Sequence, residues 1–280
     1  MAMMSSDRTE RVMAAGGASS MRAAATELWL ARDVVRAFAV RAFRIRYRQA
    51  LLGALWAVLQ PLALLVPFTL VMRRSTGRID GVPYAASTLA ALLAWQYLSS
   101  AVTTGAGSLV SESMLVRKTW FPREAPVVAA VLASFVELAI GLLVMAVAGP
   151  FLGARLGAGL LYLPVVIVAL AVIALALSLP LAAANAVFRD VRHALPFLVL
   201  LWLFATPVMY PVDRVTPRWR WIYAVANPAV GPVDAMRRVL ATGHAPRFGP
   251  LGASLTSALL IGWVGHRLFR RIAPNLPDVI

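Results

Sequence analysis

Cysteine is absent from the 280 residues. Disulfides, Cys-ligated zinc, iron–sulfur clusters and thiol catalysis are excluded with it. Acidic residues number only 12, and none forms a DxD pair. The three histidines, His193, His244 and His266, lie too far apart to make an HExxH-type metal motif. Lysine is scarcer still, since Lys118 is the single one among 27 basic residues. A Walker site wraps phosphates in the backbone N–H groups of a glycine loop and sets a lysine on them. Lys118 follows Leu115-Val116-Arg117 and has no such glycine frame. The chain is therefore expected to bind no nucleotide by a Walker site, and any motor for active transport belongs to another polypeptide.

Charged types make up 14% of the chain, against roughly a quarter in a soluble domain. Hydrophobic types make up 60%, and mean hydropathy is +0.76. A soluble domain of this size cannot bury that much apolar surface, so the excess faces lipid. The formal charge of +15 would suggest nucleic acid in a soluble protein. Here the arginines fall between apolar runs, which reads as membrane topology and anionic headgroups, with no nucleic acid as partner.

Residues 1–25 are small and polar, and no apolar run follows their charges, so they read as a disordered cytoplasmic extension rather than a signal peptide. Residues 26–49 interleave Leu28, Trp29, Val34, Val35, Phe38, Phe43 and Ile45 with Arg32, Arg36, Arg41, Arg44, Arg46 and Arg48. That pattern predicts an amphipathic helix in the membrane interface. Residues 50–271 read as a membrane domain, and 272–280 as a cytoplasmic tail. Six runs are long enough to cross a bilayer, where about 20 apolar residues span the core: 50–72, 81–111, 125–154, 157–184, 194–212 and 248–265. The fold class expected is an all-α integral membrane protein with six transmembrane helices. Arginine and lysine on alternate sides divide 17 to 10 in favour of placing both termini in the cytoplasm.

Two loops carry further signals. Ser111 to Arg123 mixes charge with apolar residues and predicts a short surface helix ending before Pro122. Asp213 to Pro250 sets Trp219, Trp221, Ile222 and Tyr223 among arginines, then breaks at Asn227-Pro228. This fits short re-entrant helices that dip into the outer leaflet without spanning it, and an ordinary amphipathic loop is the alternative. Glu137 is the one ionisable residue well inside an expected span, where a carboxylate must be protonated, paired, or turned to protein or water.

Several segments occur in one order among these spans. They include Arg46-Tyr47-Arg48-Gln49, Leu52-Gly53-Ala54-Leu55-Trp56 running to Gln60-Pro61, Asp80-Gly81-Val82-Pro83-Tyr84 and Leu93-Ala94-Trp95-Gln96. Further on come Leu115-Val116-Arg117-Lys118, Phe121-Pro122-Arg123, Phe188-Arg189-Asp190, Thr206-Pro207-Val208-Met209-Tyr210-Pro211 and Asn227-Pro228. With them the chain, from about Asp33 onward, resembles the permease subunits of type-2 ABC exporters for O-antigen, capsule and teichoic acid. The likeness is to the lipopolysaccharide-export, Wzm-type branch. The ending Leu276-Pro277-Asp278-Val279-Ile280 only partly matches that family's usual ending.

The resemblance implies a bacterial inner-membrane permease that works as a homodimer with two ATP-binding subunits. It carries no cofactor itself, ATP and Mg belonging to the partner ATPase. Its substrate is a polysaccharide or undecaprenyl-linked glycan such as O-antigen. Glu112, Met114, Leu115, Arg117, Lys118, Trp120 and Phe121 would form the coupling helix received by the ATPase. Trp219, Trp221, Tyr223, Asn227 and Pro228 would belong to the outer re-entrant gate. A sugar polymer needs aromatic surfaces and few fixed charges along its path. Trp95, Tyr97, Trp202, Phe204 and Tyr210 are the candidates for lining it, with interface anchoring or helix packing as the commoner alternative. Glu137 is a candidate for a gating or dimer contact, or for a protonated carboxyl hydrogen-bonded to a neighbouring helix, the reading slightly favoured. A type-2 ABC permease for a drug or lipid is the alternative. A membrane enzyme acting on lipid-linked sugars is a remoter one, because the chain lacks carboxylate pairs near a membrane face.

Overall fold

The computed structural model describes residues 21–47, 55–72, 77–119 and 121–273. The first 20 residues, residues 48–54 and 73–76, Trp120 and the tail from 274 onward lie outside the described residues. Nearly everything described is helix. In chain order these are α1 (Met21–Leu30), α2 (Arg32–Tyr47), α3 (Leu55–Met72), α4 (Tyr84–Ser111), α5 (Ser113–Lys118), α6 (Ala125–Ala133), α7 (Phe135–Phe151), α8 (Leu163–Val187), α9 (Asp190–Ala205), α10 (Pro217–Ala226), α11 (Val230–Arg237) and α12 (Phe248–Ile272). We call the end of the bundle that carries α1, α2 and α5 the lower end, and the end that carries α10 and α11 the upper end.

Two expectations change at the boundaries. The interface helix expected over 26–49 is two helices, parted at Ala31. Helix begins at Met21, within the stretch expected to be disordered. The fold is also not wholly helical. Arg78–Ile79 and Val82–Pro83 pair as a two-residue antiparallel ribbon at the upper end, β1 and β2. Its turn is Asp80-Gly81, both at positive φ. Such a turn matches the twist of a tight hairpin and favours this dipeptide.

The rods follow from composition and from where proline falls. Among the described residues, three helical stretches are long and apolar enough to cross a membrane: 125–151, 158–187 and 248–272. The first is α6 and α7 together, 27 residues long, or about 40 Å at 1.5 Å per residue. Between them the Ser134 hydroxyl donates back to the Ala130 carbonyl at 3.1 Å, a bond that bends helices. Pro126, Pro164 and Pro217 stand in the first turns of α6, α8 and α10, where the missing N–H costs nothing. α9 stops at Ala205 because Pro207 forces Thr206 into an extended conformation.

α4 is the axis of the bundle. It packs on α3, α6, α7, α8, α9 and α11, and is buried over most of its length. α8 runs along it, and α12 packs in turn on α8, α10 and α11. Between lipid-bathed helices close packing, rather than expulsion of water, holds neighbours together, and small residues permit it. A Cβ on Gly105 of α4 would lie 2.6 Å from the Ser178 hydroxyl of α8, and one on Gly265 of α12 would lie 2.7 Å from Pro180. The main core fills the middle and upper bundle. A second core, containing Val35, Phe38, Val116, Phe121 and Phe269, closes the lower end.

Candidate functional site

The lower end presents α5. Its six residues start after Glu112 and stop at Thr119, which is extended ahead of Pro122. The helix is amphipathic across one turn. Val116 is buried in the lower core and Leu115 packs against that core. Met114 is 69% exposed, and Arg117, Lys118 and Thr119 are exposed beside it. Glu112 sits at the junction and pairs with Arg41 of α2 at 3.4 Å. Burial pushes the Glu112 carboxyl above its ordinary range, and Arg41 pulls it the other way. Between α2, the lower end of α4 and α6 lies a cavity of about 400 Å³, edged by Phe38, Arg41, Ser108, Glu112 and Ala130.

Phe121 departs from expectation. It is 6% exposed, its ring is 5.2 Å from that of Phe38, and the Arg123 guanidinium lies over it. A residue committed to its own core cannot anchor in a partner. Trp120 lies outside the described residues.

Of the five candidate lining aromatics, two are core residues. Trp95 is buried edge-on against Trp202, with ring centroids 4.9 Å apart. Tyr97 is fully buried against Phe135 at 4.8 Å. Both ride on the stretch of α4 that its neighbours enclose, so neither side chain reaches a free face from which to line a path. Trp202 and Phe204 ride on α9. Phe204 is exposed together with Phe197, Leu198 and Leu201. Tyr210 lies half-buried beyond the break at Pro207, its hydroxyl 2.8 Å from that of Tyr223. Glu137 is half-buried in the first turn of α7, at the bend beside Ser134.

The upper end is a dense polar network. Asn227 receives the Trp202 indole N–H at 2.8 Å and donates to the Ala205 carbonyl at 2.9 Å. The α10–α11 corner is thereby fastened to the end of α9, and Pro228 is buried at the same corner. Trp219 and Trp221 of α10 point outward and are more than half exposed, while Tyr223 donates to the Ala205 carbonyl at 2.7 Å.

Arg237 of α11 is fully buried. Its guanidinium donates to the carbonyls of Pro207, Val208 and Tyr210, the last two at 2.9 Å and 3.1 Å. These acceptors are orphaned because α9 has ended, and a planar fork with several donors suits them better than an ammonium. Nearer the surface, Asp213 pairs with Arg220 at 3.1 Å and Arg247 at 2.6 Å. Burial alone would push the Asp213 carboxyl up. The hydrogen bond and charge of Arg247, with Arg220 and Arg238, hold it below its ordinary value.

Residues 33–241 match the family described as ABC-2 type transporter. The chain belongs to that family. It is similar to the O-antigen export system permease protein RfbA of Myxococcus xanthus, 29% identical over 248 residues that cover 87% of this chain and 94% of that protein. It is also similar to RfbA of Klebsiella pneumoniae, 19% identical across 85% of this chain and 91% of that protein. A third relative is the polysialic acid transport protein KpsM of Escherichia coli, 23% identical across 84% of this chain and 92% of that protein. This ABC-2 transporter chain is an integral membrane protein, and membership of a transporter family decides against the membrane-enzyme alternative.

Sequence reasoning missed Arg237, Glu124, His266 and Arg270 as members of polar clusters. All but Glu124 had a faint signal. Asp234 and Arg237 stand three apart, and His266 and Arg270 four apart, spacings that put both side chains on one helix face.

Proposed function

We propose that this chain is the permease subunit of an ABC exporter that carries a lipid-linked polysaccharide, of the O-antigen kind, across the bacterial inner membrane. ATP and Mg are bound and used by a separate subunit. The observation that carries the reading is the family match over 33–241, joined to relatives named for O-antigen export and polysialic acid transport that the chain matches over nearly their whole length.

Six helical rods support a six-span topology: α3, α4, α6 with α7, α8, α9 and α12. Both termini are then cytoplasmic, the lower end faces the ATPase, and α10 and α11 are the outer re-entrant helices. Two copies of the chain and two ATP-binding subunits make the working assembly. α9 lines the path, with Phe204 and the half-buried Trp202 and Tyr210 facing the sugar polymer.

α5 is the docking helix. Met114 is its anchor, and Arg117 and Lys118 steer the encounter more than they strengthen it. Leu115 is unsuited to the test because it packs on the chain's own core. Met114→Asp with Lys118→Glu alters exposed atoms alone, so the permease should insert normally. Co-purification of the ATPase, complex-dependent ATP hydrolysis and surface polysaccharide should fall together. A double variant that binds its ATPase and exports at the wild-type level would remove α5 from this role.

A further inference from the structure

Behind α5 lies a second cluster of charge that the docking role does not use. Glu124 stands at the N-terminus of α6 and is 4% exposed. Its carboxylate lies 2.9 Å from Arg270 Nε and 3.9 Å from His266 Nδ1, both on α12. The other side of the Arg270 guanidinium donates to Glu27 of α1 at 3.1 Å. One arginine near the end of the sequence thus bridges two carboxylates, one near its start and one mid-chain.

The described residues between α5 and Glu124 are tied back onto α5 and the lower core. Arg123 Nη1 donates to the Val116 carbonyl at 2.8 Å and stacks on Phe121. Phe121 packs on Phe38, and Phe269, the neighbour of Arg270, is fully buried in the same lower core. A displacement of α5 therefore carries Glu124 with it.

A buried ion pair is weak evidence for stability, because well-packed apolar residues of the same volume often serve as well. What it adds to the packing here is direction. It ties one atom of α12 and one of α1 to the point where the docking segment enters the first long apolar rod.

We propose that Arg270 is a positioning residue for transport. By bridging Glu124 and Glu27 it makes the last membrane helix and the N-terminal helix pair move with the docking segment, so that work done on α5 reaches α12. The inference rests on the reading of α5 as the docking helix.

The test uses the full chain co-expressed with its ATPase in cells lacking the native permease. Two quantities are read: ATP hydrolysis by the purified complex, and surface polysaccharide on the cells. In Arg270→Ala the complex should assemble and hydrolyse ATP, while export per ATP hydrolysed falls about 3- to 30-fold, the range over which residues in a coupling network act. Arg270→Lys, which keeps the charge, should recover much of the ratio. Destabilisation alone would lower both quantities in proportion and leave the ratio where it was, and that result overturns the proposal. Glu27→Gln cuts only the link to α1 at a half-exposed site, so it folds even if Arg270→Ala does not. It should lower the same ratio by a smaller factor, and an unchanged ratio there also overturns the relay. If the Met114 and Lys118 double variant still binds the ATPase, the docking reading itself fails. A bound, hydrolysing Arg270→Ala complex with a normal ratio defeats the relay alone.

Discussion

Arg237 shows how one side chain can hold a corner of a membrane fold. The chain needs α9 to end before Pro207, and ending a helix among packed neighbours leaves carbonyls without partners. Each such orphan costs free energy comparable to a lost hydrogen bond. The irregular segment that follows has the same need, and Arg237 answers with a guanidinium that reaches three of its carbonyls at once. Breaking a buried network of this kind costs about 3–5 kcal/mol. Arg237→Met should therefore lower the melting temperature of the detergent-solubilised protein by about 10 °C, at roughly 2–4 °C per kcal/mol for a chain of this size. Arg237→Lys keeps the charge but gives up the fork, and should fall between the two. A Met variant that melts with the wild type would show that water serves those carbonyls as well as Arg237 does.

At the scale of elements, the upper hairpin of α10 and α11 depends on ion pairs that its own residues make with the start of α12. Asp213 joins Arg220 just inside α10 to Arg247 at the N-terminus of α12. Its carboxyl is held below its ordinary value, so the pairing is at full strength above about pH 4, the unfolded value for aspartate. It is lost as the pH falls through the lower folded value. The contribution is modest because Asp213 is about a third exposed. Amide exchange over 213–226, corrected for intrinsic rate, should be flat from pH 7 to 5 and then quicken toward pH 3. In Asp213→Asn it should be quicker at every pH and lose that acid step. An acid step of full size in the Asn variant would place the titrating group elsewhere.

For the whole molecule, the absence of cysteine makes orientation directly measurable. Single cysteines at Arg78, Thr216 and Thr119 sit on exposed residues. The six-span reading puts the first two outside and the third inside. An impermeant thiol reagent applied to intact cells should label Arg78→Cys and Thr216→Cys, and should label Thr119→Cys only after the membrane is opened. Labelling of Thr119→Cys from outside would invert the topology, and α5 could not then meet an ATPase.

The sequence by itself determined the membrane character, the order of the apolar rods, the short helix before Pro122 and the broken segment around Asn227. These depend on composition, period and proline, all of which act within a few residues of where they are written. Tertiary structure decided which side of each rod is covered. Trp95 and Tyr97 look like Phe204 in sequence, yet α4 is enclosed by six neighbours while α9 keeps an open face. Phe121 reads as an anchor until Phe38, some 80 residues earlier, is found beside it. Arg237 and Arg270 read as topology charges, because nothing near them in sequence shows the Pro207 carbonyl or the Glu27 carboxylate that receives them. In a chain this apolar, hydrophobicity marks what lies in the membrane but not which residues face lipid and which face protein, since both surroundings accept the same side chains. That choice is made by contacts between residues far apart in sequence, and only the packed bundle brings them together.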